Sequence, residues 1–110
     1  MNSITSAVRK ENEDLVPYRV EVYIGSDNDS RKICESYLKK VKEWADATFP
    51  EGYTLLRGEG CYKGLSEDSI LINSLSLYDI SIQHRLKELK QDLKQESILI
   101  VKSVVEYELI

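Results

Sequence analysis

The residues best suited to meeting a ligand crowd into one short stretch, FPEGYTLLRGEGCYKG at positions 49–64. Each Gly and Pro in it works against regular structure unless the backbone makes use of it. Gly58, Gly60 and Gly64 alternate there with Arg57, Tyr62 and Lys63. Glycine lets backbone N–H groups come close to an anionic group, and a neighbouring Arg or Lys supplies the opposing charge. Arg57, Gly58, Gly60, Tyr62, Lys63 and Gly64 are therefore the candidate ligand-binding residues, with a small anion as the expected ligand. A plainer reading of the glycines stands beside this one, namely a turn that needs positive φ at Gly58 or Gly60.

An enzyme needs convergent titratable groups. Around the same stretch these are Glu59, Glu67 and Asp68, with Arg57 and Lys63 opposite and Tyr62 as a candidate acid. They read equally well as a solvated loop, so the residues leave open whether any reaction occurs, and no catalytic residue is assigned. Cys61 lies in the stretch with no neighbouring His to activate it. His84, the only histidine, sits between Gln83 and Arg85 in a helical pattern and reads as solvated. The two cysteines form no C-x-x-C pair, and a zinc site would need three or four ligands. No metal or cofactor is expected.

The elements that must position these residues are legible from periodicity. Residues 18–24 alternate, with Tyr18, Val20, Val22 and Ile24 on one side and Arg19, Glu21 and Tyr23 on the other, a strand with one face toward a core. A turn with several candidate N-caps follows over 25–30. Residues 31–48 carry a helical stripe of Ile33, Tyr37, Val41 and Trp44, flanked by Cys34, Leu38 and Ala45, with lysines and acids opposite. Cys34 then reads as a buried, reduced thiol. Pro50 and Gly52 end this helix. Strands are expected over 53–61 and 69–77, joined through Gly58, Gly60 and Gly64. A second helix is expected over 78–95, striped by Ile82, Leu86, Leu89 and Leu93, and a long last strand over 97–109.

The order strand, helix, strand, strand, helix, strand predicts an α+β fold, a ferredoxin-like βαββαβ two-layer sandwich. Its four-stranded antiparallel sheet would carry two helices on one face. A chain of 110 residues suffices for one such domain, expected over 17–110, with 1–16 as a flexible N-terminal arm. The other sheet face should be polar if it met water. Instead Leu71, Leu75, Leu99, Val101, Val105 and Tyr107 fall on it, which predicts a homo-oligomer covering that face. The net charge of -4 argues against binding nucleic acid, which needs a basic stripe. No apolar run reaches the ~20 residues of a membrane span, and the first residues lack the apolar core of a secretory signal. Cytoplasmic residence is expected, with no membrane partner.

Two resemblances converge on the opening stretch. It resembles an uncharacterised family of small, mainly bacterial proteins with a domain of unknown function, whose pattern runs F-P-x-G-x-T and then G-x-G-x-W. Phe49, Pro50, Gly52, Thr54, Gly58 and Gly60 match in order, with Tyr62 where that family prefers Trp. This likeness implies no activity. Residues 57–64 are also similar to the K-G-x-G-x-x-K-G turn of PII-type signal-transduction proteins, which follows the second strand of a ferredoxin-like domain. In those trimeric proteins the turn opens a long loop beside a nucleotide site between subunits. The resemblance implies nucleotide-facing roles for Gly58, Gly60, Lys63 and Gly64, with Arg57 standing in for Lys. Two departures stand out: few residues separate Gly64 from the third strand, and residues 90–95 occupy the place of a second, Gly-rich phosphate loop.

The expectation is therefore a non-catalytic, oligomeric domain that binds a small molecule, an anion or nucleotide, in a regulatory role. The alternatives are a small cofactor-free enzyme of the same superfold, and an acidic adaptor or inhibitor that docks its open sheet face on another protein.

Overall fold

A computed structural model of the chain describes residues 17–76 and 82–110. Residues 1–16, where the N-terminal arm is expected, and residues 77–81, at the start of the expected second helix, lie outside the described residues. The elements run β1 (Tyr18–Gly25), α1 (Glu35–Thr48), β2 (Thr54–Tyr62), β3 (Leu65–Ser76), α2 (Gln83–Leu93) and β4 (Leu99–Val104). The strands form one sheet in the order β2-β3-β1-β4. Every neighbouring pair is antiparallel. This is the α+β ferredoxin-like sandwich, in which β1 takes a central place because its alternation buries one complete face.

Val20, Val22 and Ile24 of β1 are buried, and the register sets Ile72 and Ile100 beside Val22 and Ile70 beside Ile24. Tyr37, Val41 and Ala45 of α1 and Leu86, Leu89 and Leu93 of α2 close over this layer, joined by Ile33, Phe49 and Ile82. Leu38 and Trp44, expected inside, are only half-buried, because they flank the stripe where α1 meets α2 rather than facing the sheet. Trp44 keeps its polar end satisfied by donating from Nε1 to the Arg85 carbonyl at 2.8 Å, and its ring stands edge-on to Phe49 at 5.9 Å. A Trp at such a seam buries its ring while its N–H finds a partner.

Several boundaries differ from expectation for identifiable reasons. The first helix starts at Glu35 rather than Arg31, since Asp27 Oδ1 accepts from the N–H groups of Asp29 and Ser30 and holds a turn instead. Arg31 then takes a left-handed φ of 59°. Cys34 is thereby the residue before the helix, and it is exposed rather than buried. The second helix closes at Leu93, with Lys94 in the left-handed conformation at φ 56°. The last strand spans six residues, not thirteen; pairing ends with the Val105 N–H donating to the Pro17 carbonyl at 3.0 Å. No helix among the described residues is long and apolar enough to cross a membrane.

Leu89 retains 1% of its exposure and sits at the centre of the α2 stripe. Leu89→Ala should lower the unfolding free energy by about 2–5 kcal/mol. Trp44→Phe, which deletes the N–H to Arg85 and shrinks a half-buried ring, should cost at least the about 0.5–1.5 kcal/mol of that hydrogen bond and less than the Leu89 truncation. Urea unfolding followed by tryptophan-independent circular dichroism checks both, and equal effects at the two positions would contradict the seam placement of Trp44.

Candidate functional site

The β2–β3 connection is a two-residue hairpin in which Lys63 (φ 52°) and Gly64 (φ 80°) both take positive φ. That is the type I′ geometry, whose twist matches the flanking strands and which favours Gly. Gly58 and Gly60 need no positive φ and lie inside β2, so the expected Gly-rich loop is ladder up to Tyr62. The third strand accordingly begins at Leu65 rather than Ser69.

Alternation then decides what each side chain faces. Arg57 pairs with Ile70 and shares the helix-bearing face, and its Nη2 donates to the Ile33 carbonyl at 3.4 Å. Leu56, Gly58, Gly60 and Tyr62 share the open face, opposite Leu71, Ser69, Glu67 and Leu65 of β3. β1 adds Tyr23 opposite Leu71 and Gly25 opposite Ser69. Because Gly58 and Gly60 carry no side chain, a groove of about 440 Å³ opens over them, walled by Tyr23, Leu56 and Leu71 and bordered by Gly25. Most of its surface is apolar.

A polar cluster closes the end of the sheet beside this groove. Glu67, half-buried, accepts a hydrogen bond from Ser26 Oγ at 3.0 Å. A Cβ placed on Gly25 would stand 3.4 Å from both Glu67 Oε1 and Gln95 Oε1, so these two side chains converge over that glycine. Gln95 in turn donates from Nε2 to the Ser26 carbonyl at 2.8 Å. From the helix side the buried Tyr37 hydroxyl donates to the Gly25 carbonyl. Burial, reinforced by the negative charges of Asp27 and Glu67, pushes the Tyr37 phenol up to about 12. Asp68, next in sequence, faces the other way and accepts from the Ile33 N–H at 3.1 Å.

The six candidate residues are thus distributed along one strand and its turn. Gly58 and Gly60 form the groove floor and Arg57 borders it. Tyr62 stands at the far end of the same face, largely exposed, with Lys63 Nζ 5.3 Å above its ring. Gly64 supplies the turn. Glu59, exposed, shares the face of Arg57. Tyr23, Leu56, Leu71, Ser26, Glu67 and Gln95 enter the site through pairing and packing, and only Glu67 among them stood out in the sequence. Tyr23 carried one usable signal, an aromatic on the outward side of a strand. Among the described residues no group of three or more His, Cys, Asp or Glu is placed to hold a metal ion.

No protein-family model matches the chain, and no curated protein matches it by sequence. Solved structures with the same fold do. A phage SAM lyase in complex with S-methyl-5′-thioadenosine matches with a TM-score of 0.58 and 21% identity, over 80% of this chain and 81% of that one. A phage SAM lyase in the apo state matches with a TM-score of 0.56 and 20% identity, over 84% of this chain and 92% of the other. At these identities the likeness is one of fold.

The Tyr37 proton gives a pH prediction. A phenol raised from 10.0 to about 12 in the folded state holds its proton more tightly there than in the unfolded chain. Its contribution to stability is full below pH 10 and is lost as pH rises toward 12. Urea midpoints should therefore fall through that window. Tyr37→Phe should flatten this part of the alkaline loss, and an identical alkaline slope in the variant would remove Tyr37 as its source.

Proposed function

We propose that this protein is a small cofactor-free enzyme that takes an S-adenosyl sulfonium into the open-face groove and releases S-methyl-5′-thioadenosine. The observation that carries this reading is the apolar groove with the half-buried Glu67 beside it, opposite Gly60 of its floor, in a fold shared with a SAM lyase solved with that nucleoside. The charge distribution supports a cation at this place. Glu67 stands beside the groove, the Tyr23 and Tyr62 rings face the same side, and the Arg57 guanidinium is tied to Ile33 across the strand. Aromatic faces and a carboxylate suit a sulfonium.

The chemistry asks little of the protein. As the S–C bond to the amino-acid fragment breaks, its electron pair stays on sulfur, which leaves as a neutral thioether without protonation. The fragment's own carboxylate closes on the carbon released, forming a five-membered C–O ring, so atoms balance without water. The step destroys a positive and a negative charge together. An apolar groove favours it for that reason, the more so once closed to water. Glu67, held by Ser26, would engage the substrate ammonium and aim the carboxylate. The groove is open on its outer side, and a second copy laid on Leu56, Leu75, Leu99 and Val101 would enclose it.

A second reading keeps the same surface without a reaction: an oligomeric domain that binds an anion or nucleotide. The position of Arg57 beside the groove and of Lys63 over Tyr62 favours it.

Purified protein incubated with S-adenosylmethionine should yield S-methyl-5′-thioadenosine by mass spectrometry. Glu67→Gln should slow its release by about tenfold or more, since hydrogen bonds to charged groups contribute about 1.5–3 kcal/mol. Arg57→Ala should leave the rate close to wild type. No product from wild type, together with calorimetric binding of nucleotides that Arg57→Ala weakens, would replace the enzyme by the binding domain.

A further inference from the structure

We infer that Gly58 and Gly60 are specificity-determining residues, a bare shelf on which a planar heteroaromatic ring, the purine of the ligand, lies flat against the backbone of β2. This rests on the groove being the ligand site, as proposed above.

The two glycines are not required by the fold. Neither has positive φ, so any L-residue can take their backbone conformation. Neither is packed against anything that forbids a side chain. A Cβ on Gly58 would meet only Ser69 Oγ at 3.8 Å, and one on Gly60 only Ser69 Cβ at 3.8 Å, both ordinary contacts. Glycine inside a strand weakens it, through lost backbone entropy and a missing side chain to pack, and often marks a close approach of a ligand or another backbone. Two such residues alternate on the open face of one strand. Alanine at either would fit and would strengthen the strand.

What their bareness does accomplish is the groove. On this face β2 runs Leu56, Gly58, Gly60, Tyr62, and the distance from Leu56 to Tyr62 is about 20 Å at the usual rise of a strand. Leu56, Leu71 and Tyr23 rise at one end, and Tyr62 and Leu65 rise at the other. Between them the floor is peptide backbone and the small Ser69, with the Glu67 side chain held on Ser26. Peptide planes bounded by aliphatic and aromatic walls accept a flat ring stacked on them. A branched or globular apolar group would leave that floor unfilled. Glu67 lies opposite Gly60 at the same end as Ser26, so a ring over Gly58 directs the substituent of the nucleoside toward the carboxylate. One methyl group at either glycine lifts the ring from the floor.

The test uses the full-length chain with Gly58→Ala, Gly60→Ala and the double substitution. Each should keep or raise the thermal midpoint and leave the particle mass by light scattering unchanged. Affinity for S-methyl-5′-thioadenosine by calorimetry should fall at least tenfold in each single variant and further in the double. Variants that bind as tightly as wild type overturn the shelf while leaving the enzyme reading intact. So does a loss of oligomer with unchanged affinity, which would assign the glycines to a subunit contact. If wild type fails to bind the thioadenosine, the enzyme reading falls, and amide chemical shifts with adenine, guanosine and cytidine then decide the shelf. Perturbations centred on residues 58–60 and absent in the double variant sustain it; none anywhere along β2 overturns it.

Discussion

The site depends on the two-residue turn at Lys63 and Gly64. With both residues at positive φ, the hairpin admits one register, Tyr62 against Leu65 and onward to Thr54 against Asn73. Because side chains alternate with a period of two, a slip of one residue would exchange the faces of the whole strand. It would carry Arg57 to the open face and bury Leu56 in its place. Gly58 and Gly60 would then lie under the helices, where their bareness would leave voids. A turn that costs two unusual backbone conformations is thus what places the groove on one side of the sheet and the core on the other.

The same alternation makes β3 two-sided. Ile70 and Ile72 fill the core, while Leu71 and Leu75 on the alternate positions face outward, on the side of Tyr23, Leu56 and Leu99. A sheet face of this composition is unfavourable in water over a large area. The groove occupies part of that face, so whatever covers the remaining apolar surface also bears on access to the groove. On the proposed reading, ligand binding and assembly would draw on one surface, and the balance between them would follow from how much of it each leaves dry.

At the end of the sheet the polar groups are mutually satisfied. The Gly25 carbonyl receives the Tyr37 hydroxyl, the Ser26 carbonyl receives Gln95, and the Ser26 hydroxyl reaches Glu67. β1, α1, β3 and the segment after α2 meet in these bonds, and a network completed in this way holds its carboxylate in one orientation. The superfold itself accommodates many chemistries, so it is this cluster and the adjoining groove, rather than the sandwich, that carry the functional reading.

Residue pattern by itself determined the architecture. The alternation of residues 18–24 and the stripes through Val41 and Leu89 are local periodicities, and they specify which face of each element is apolar before any contact forms. They also predicted the uncovered sheet face. What the pattern misread were places where two local explanations compete. Gly58 and Gly60 have the composition of a turn, but cross-strand pairing with Ser69 and Glu67 drew them into the ladder. Cys34 matched a helical stripe, yet the Asp27 turn delayed the helix and left it outside. The groove was beyond local reading altogether. Tyr23, Leu56 and Leu71 come from three strands, and Ser26, Glu67 and Gln95 from segments separated by 41 and 69 residues, reckoned from Ser26. Periodicity records how a segment meets its own environment. Which segments become neighbours is decided by the strand order β2-β3-β1-β4, and that order is a property of the whole chain rather than of any one segment.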